Sequence, residues 1–180
     1  MVKKMPQNLR KLVLTVHVVV SVGWIGIEAG LLALGLTGLY NRDPEALRVA
    51  YVAASIFGGI FLVPVSMGAL VTGVLLSVGT PWGLVRHYWV LIKIVFTVAL
   101  VASGILVLNR RLQEAAARVS EVPLSTLTSA DAGALQVQII ATVSVALLLL
   151  VTATTLSVYK PWGRTWFGRR KVLTRREVKL

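Results

Sequence analysis

The stretch that decides the fold is LVLTVHVVVSVGWIGIEAGLLALGLTGLY, residues 12–40. It is apolar almost throughout, and it is longer than the about 20 apolar residues that a helix needs to cross a bilayer. It is also too long for the core of a signal peptide, and it ends without an A-x-A-like cleavage site. The stretch therefore predicts a retained first membrane helix.

Three further segments have the same apolar character. With the first, the predicted spans are about 12–40, 49–78, 87–108 and 135–159, within a transmembrane domain of residues 1–160. The chain is 56% hydrophobic and only 14% charged, against about 25% charged in a soluble domain. No segment shows the alternating polarity of a membrane strand. The sequence therefore predicts an all-α integral membrane protein, a bundle of four transmembrane helices.

The basic residues predict the orientation of these helices. The formal net charge is +12, and thirteen Lys and Arg residues fall on the side of the two termini, against five on the other side. By the positive-inside rule, both termini are expected in the cytoplasm. Residues 161–180 then form a basic cytoplasmic tail, which is expected to contact anionic lipid head groups rather than nucleic acid.

Two further sequence features lie at the ends of the predicted spans: a repeated tripeptide and a helical extension. The tripeptide PWG occurs at residues 81–83 and 161–163, each time just after an even-numbered span. A true internal repeat would make the bundle two like-oriented helical hairpins; the alternative is that bilayer boundaries impose similar sequences. Residues 109–122 continue the third span as helix-forming sequence, and they predict a helical extension near the outer surface that Pro123 stops.

Ionisable residues inside the spans mark the candidate site, because such residues are costly in a bilayer and are functional candidates by default. On the first helix, His17, Ser21, Trp24 and Glu28 share one face at 100° per residue. The opposite face carries the small-residue pair Gly26-x-x-x-Gly30, which is expected to pack closely against a second helix. The polar face is therefore predicted to point into the bundle or at a ligand.

On the third helix, Lys93 lies at a depth similar to that of His17, roughly 8 Å from the inner interface. Lys93 could instead extend its ammonium to that interface, and His17 could simply bond a Ser or a backbone carbonyl. His87 lies at the inner boundary, as an interfacial histidine or as a second metal or haem ligand. Glu28 is expected either to be protonated or to reach a polar partner, which Gln136 or Gln138 could supply.

The motifs on helices one and three resemble two related bacterial families. His17-x6-Trp24-x-Gly26 resembles the H-x6-W-x-G signature of the copper-resistance protein D family, with its uncharacterised four-helix relatives, and of the HemJ-type protoporphyrinogen oxidase family. The segment from Tyr88 to Lys93, followed by Leu108-Asn109-Arg110, is similar to the "LL-x-K … LNR" pattern of the copper-resistance group. The resemblance covers about two-thirds of the chain, mainly helices one to three.

The resemblance implies a site and a location. In the oxidase family the matching His and Lys are the functional pair and are associated with b-type haem, so these roles would fall on His17 and Lys93. It also implies a bacterial inner membrane. The stretch after W-x-G reads Ile27-Glu28-Ala29-Gly30, without the aromatic- and Arg-containing sequence of the oxidases, so the uncharacterised four-helix group matches the pattern best.

Three functions follow as hypotheses. The first is binding of haem b or a metal ion between helices one and three, for redox or haem handling, with His17 and His87 as candidate metal ligands and with Lys93 and Trp24 as further cofactor contacts. The second is a metal or proton transport module along His17, Glu28, Gln138 and Lys93, which would need to form a homo-oligomer. The third is a non-catalytic subunit of a membrane partner protein. The absence of cysteine excludes disulfides, thiolate metal sites and covalent c-type haem, and whether the chain is an enzyme stays open.

Overall fold

Four long helices make up the computed structural model, which describes residues 5–79, 84, 87–159, 163 and 165. We label them α1 (Gln7–Tyr40), α2 (Pro44–Gly79), α3 (Tyr88–Glu121) and α4 (Ala134–Tyr159). Each is long and apolar enough to cross a membrane, and the described part of the chain contains no strand. The predicted all-α four-helix bundle is confirmed. Both PWG repeats, apart from Gly163, and nearly all of the predicted tail lie outside the described residues.

Two helices begin about five residues before the predicted spans, α1 at Gln7 and α2 at Pro44. Pro44 begins α2, where its missing N–H costs no hydrogen bond. Just before it, the Asn41 side chain accepts from the backbone N–H of Asp43 at 2.9 Å, and the Asp43 carboxylate accepts from that of Glu45 at 3.2 Å. These bonds start α2 within the polar loop that follows α1.

The predicted extension of the third span is helical and continuous with it. A π-helical turn, Gly104–Leu108, joins the apolar part of α3 to the amphipathic part, Asn109–Glu121. The helix ends just before Pro123, which disfavours helical geometry in the residue that precedes it. The guanidinium of Arg48 on α2 donates to the Val119 carbonyl at 3.1 Å and to the Val122 carbonyl, and so holds this end of α3.

Successive helices run antiparallel around the bundle. Helix α1 packs between α2 and α4, α3 packs between the same two helices, and α1 and α3 therefore stand diagonally opposite each other. We call the end where α1 begins and α4 ends the terminal end, and the opposite end the loop end. The fully buried core is concentrated toward the loop end, with Leu31, Leu47, Leu112, Val119 and Ile139.

Close helix contacts use glycines other than the predicted pair. A Cβ on Gly38 would lie 2.7 Å from the ring of Tyr51 on α2, and one on Gly58 would lie 2.7 Å from Leu112 on α3. By contrast, a Cβ on Gly26 would meet nothing within 4 Å, and one on Gly30 would touch only Phe57 at 3.5 Å. The expectation that Gly26 provides a close helix–helix contact was wrong within this chain, because that face of α1 points outward.

This difference gives a stability prediction. We expect Gly38→Ala to lower the free energy of unfolding by about 1–3 kcal/mol, because the rigid Tyr51 ring must shift to admit the methyl group. Gly26→Ala is the matched control and should be neutral, or stabilising by up to about 1 kcal/mol through helix propensity. Unfolding by sodium dodecyl sulfate in mixed micelles measures both. Equal effects of the two substitutions would contradict the observed packing.

Candidate ligand cavity between the four helices

A cavity of about 590 Å³ lies in the terminal half of the bundle. All four helices line it, through residues that include His17 on α1, Gly73 on α2, Lys93 on α3 and Ser157 on α4. Its volume falls in the range of about 300–1,000 Å³ that is typical of small-molecule and cofactor sites. Cofactor sites in helical bundles are built in this way, from side chains on facing helices.

The walls of the cavity are mostly apolar, with two tryptophans. Trp24 and Trp89, both buried, contribute indole rings from the diagonally opposed helices α1 and α3. Leu70, Ile94 and Leu150 supply aliphatic surface between them. This arrangement suits a ligand with a large apolar body, because aromatic and aliphatic walls can bury such a body.

His17 is held by a hydrogen bond to the neighbouring helix. Its Nδ1 lies 2.9 Å from the Thr72 hydroxyl, which in turn lies 2.6 Å from the Gly68 carbonyl oxygen. A carbonyl can only accept, so the single Thr72 proton goes to Gly68, and the Thr72 oxygen then accepts from Nδ1–H. This assignment leaves the lone pair on Nε2, which is the arrangement found in histidines that bind metals.

The backbone next to His17 needs a glycine. A Cβ on Gly73 would lie 3.2 Å from Cε1 of the imidazole, which is tighter than ordinary van der Waals contact. Gly73 therefore lets α2 approach the ring from the side and helps to fix its position in the cavity.

Lys93 brings a positive charge into the cavity from α3. Its ammonium donates to the Ser157 hydroxyl on α4 and lies 6.0 Å from the centroid of the Trp89 ring, at the limit of cation–π attraction. Among the described residues the only salt bridge joins Arg118 to Glu114, so no described carboxylate neutralises Lys93. The charge is thus available to an acidic ligand.

Glu28 is buried one turn beyond the cavity, behind Trp24. Its side chain is 2% exposed, and Oε1 accepts from the indole N–H of Trp24 at 3.1 Å. The second oxygen, Oε2, has no hydrogen-bond partner. The expected partners were wrong: Gln136 lies next to the Tyr51 hydroxyl at 3.4 Å, and Gln138 is exposed.

The structure brings together some of the predicted site residues and separates others. His17, Ser21, Trp24 and Lys93 line one cavity. His87 immediately precedes α3, is not among the lining residues, and has its ring 6.3 Å from that of Trp89. Within the described residues, no three His, Cys, Asp or Glu side chains are grouped as ligands for a metal ion.

Sequence reasoning missed three lining or supporting residues. Arg10 also lines the cavity, and its position seven residues before His17, on the same helix face, was a usable signal. Thr72 and Ser157 gave no such signal. Their roles depend on which residues of α2 and α4 lie level with His17 and Lys93, and this register is a property of the packed bundle.

Comparison of the chain with protein-family models, with curated proteins and with solved structures found no match.

Proposed function

We propose that the chain is a multi-pass membrane protein with both termini in the cytoplasm, and that its cavity binds haem b with His17 as an axial ligand of the iron. The observation that carries this proposal is the His17 ring, whose Nδ1 lies 2.9 Å from the Thr72 hydroxyl, in a four-helix cavity with apolar walls. The resemblance of the His17 and Lys93 motifs to haem-associated membrane proteins points the same way.

The outward faces of the helices support insertion into a membrane. Large apolar side chains are exposed along all four helices, among them Val22 (64%), Ile60 (57%), Val95 (58%) and Leu148 (68%). A water-soluble bundle of this size would turn polar residues outward on these faces. Lipid tails are the environment that such a surface suits.

The set of available ligands favours haem over a bare metal ion. A protein site for a bare ion generally needs three or four side-chain ligands, and the described residues group no such set. A porphyrin brings four nitrogen ligands of its own, so that one histidine is enough to hold the iron. His17 alone can meet this smaller requirement.

Several residues that line or support the cavity would contribute to haem binding. Bound haem would supply a redox-active iron. Thr72 orients the imidazole through Nδ1, Trp24 and Trp89 would contact the apolar macrocycle, and Lys93 would attract an acidic group on the ligand. The fully buried core toward the loop end would keep water away from that end of the cavity.

Titration of the purified protein with haemin tests the proposal. In nanodiscs, the wild-type chain is expected to give a sharp Soret band that saturates at one haem per chain, because His17 is the one histidine that lines the cavity. Gln138→Ala is the control, since Gln138 is exposed and does not line the cavity; it should titrate as the wild type does. A wild-type titration identical to that of empty nanodiscs would refute the proposal.

The orientation can be tested independently of haem because the chain has no cysteine of its own. We expect a membrane-impermeant maleimide to label Ser125→Cys in intact cells, since Ser125 lies exposed in the loop between α3 and α4. Gln7→Cys, at the start of α1, should be labelled only after the membrane is permeabilised. The reverse pattern would place the termini outside and contradict the positive-inside assignment.

A further inference from the structure

The cavity has a second basic residue, Arg10, at its terminal end. Arg10, Leu14, His17, Ser21 and Trp24 follow one another at intervals of three and four residues along α1, and all five line the cavity. Seven residues of helix place Arg10 about 10 Å from His17, toward the terminal end. Its side chain is exposed at the cavity mouth, whereas His17 lies deeper.

The two cations reach the cavity from opposite sides. Arg10 comes from α1 and Lys93 from α3, the two helices that stand diagonally across the bundle. No Asp or Glu is among the lining residues. The acidic residues in the described ranges lie elsewhere: Glu28 is buried behind Trp24, and the other five lie at the loop end (Asp43, Glu45, Glu114, Glu121 and Asp131). The terminal half of the cavity is therefore positively charged.

The described residues place no carboxylate in the cavity beside this pair of cations, and such a pair beside apolar walls specifies a class of ligand. The apolar body of the ligand would lie between the tryptophans, and its acidic groups would lie near the cations. The guanidinium of Arg10 can bind a carboxylate through two parallel hydrogen bonds. The ammonium of Lys93, steadied by Ser157, can bind a second carboxylate as a point charge.

From this geometry we infer that Arg10 and Lys93 form a two-cation clamp for a flat apolar molecule with two carboxylates, and that the carboxylates point toward the terminal end. The inference rests on the proposed function and deepens it. For haem b it assigns one propionate to Lys93 and Ser157 and the other to Arg10. The inference thereby makes Arg10 a determinant of ligand specificity. Neither the charge pattern nor the resemblance assigned Arg10 to the site.

The test compares haemin with its dimethyl ester, in which both carboxylates are blocked and the macrocycle is unchanged. We expect the wild-type chain to bind the ester at least tenfold more weakly than haemin, because charge-assisted bonds are lost. Arg10→Gln should weaken haemin binding about tenfold and leave ester binding unchanged. Lys93→Gln should behave in the same way, and the double variant should bind the two ligands equally.

Lys11→Gln is the matched control. It removes one positive charge from the neighbouring residue, which does not line the cavity, and it should bind both ligands as the wild type does. Arg10 is exposed in the first turns of α1, so its substitution should leave the fold intact, as circular dichroism would verify.

The possible outcomes separate the two proposals. Equal wild-type affinities for haemin and its ester would overturn the clamp while leaving haem binding in place. An Arg10→Gln variant that loses affinity for both ligands to the same extent would also overturn the clamp, because Arg10 would then act on the structure rather than on the carboxylate. Absence of binding by both ligands would overturn the proposed function, and the clamp with it.

Discussion

Replacement of His17 by glycine is expected to abolish haem binding, and added imidazole is expected to restore it. Of the two histidines in the chain, only His17 is among the residues that line the cavity, so its loss removes the imidazole from the pocket. Free imidazole can enter the space left by the side chain and ligate the iron. Restoration of the Soret band by imidazole separates ligation from a purely structural role of His17.

The hydrogen bond that Nδ1–H donates to Thr72 gives a second prediction, in which haem binding is weakened rather than abolished. Thr72→Val keeps the shape of the side chain but removes the oxygen that accepts from Nδ1–H. Loss of such a supporting bond typically weakens metal binding about tenfold to a hundredfold. Thr152→Val is the matched control, because the Thr152 hydroxyl is exposed and donates only to Leu148 in its own helix, at 2.7 Å.

A His17→Gly variant with the wild-type spectrum would refute His17 as the ligand.

Substitution of both members of the Trp24–Glu28 pair is expected to destabilise the bundle by less than the sum of the two single substitutions. Trp24→Phe leaves Glu28 without its one hydrogen-bond donor, and Glu28→Met leaves the buried indole N–H without an acceptor. An orphaned buried polar group costs about 1–3 kcal/mol. In the double variant no polar group of the pair remains, so its cost should be well below the sum of the two single costs.

A double-mutant cycle measures this coupling. The four proteins would be unfolded with sodium dodecyl sulfate in mixed micelles, and the free energies of unfolding compared. We expect a coupling energy of about 1 kcal/mol or more, with the sign of a favourable interaction. Additive single costs would show that the 3.1 Å contact between the indole and the carboxyl contributes nothing to stability.

The number and type of helices could be predicted from the sequence, as could most of their ends, whereas the starts of α1 and α2 could not. Runs of about 20 apolar residues leave few alternatives to helices of membrane-spanning length. The start of α2 depends on local hydrogen bonds that a hydropathy pattern does not reveal. Asn41, Asp43 and Pro44 start α2 within a polar loop, and Arg48 stabilises the end of α3 from a different helix.

The face of α1 that lines the cavity was predictable from the sequence, whereas the hydrogen-bond partners of its residues were not. The shared face of His17, Ser21 and Trp24 follows from helical periodicity, and all three line the cavity. The partner of Glu28 proved to be Trp24, four residues away on the same helix, rather than a glutamine of α4. Thr72 could not be predicted, because its contact with His17 depends on the register between α1 and α2.

The haem content of the full-length protein tests the central claim most directly. The wild-type chain and His17→Ala would be purified from membranes of cells supplied with haem, and haem per chain would be measured from the absorbance of the pyridine complex. We predict close to one haem per wild-type chain and almost none in the variant, because the proposal makes His17 the residue that would retain the iron in the cavity. A wild-type protein with no more haem than His17→Ala would contradict the claim.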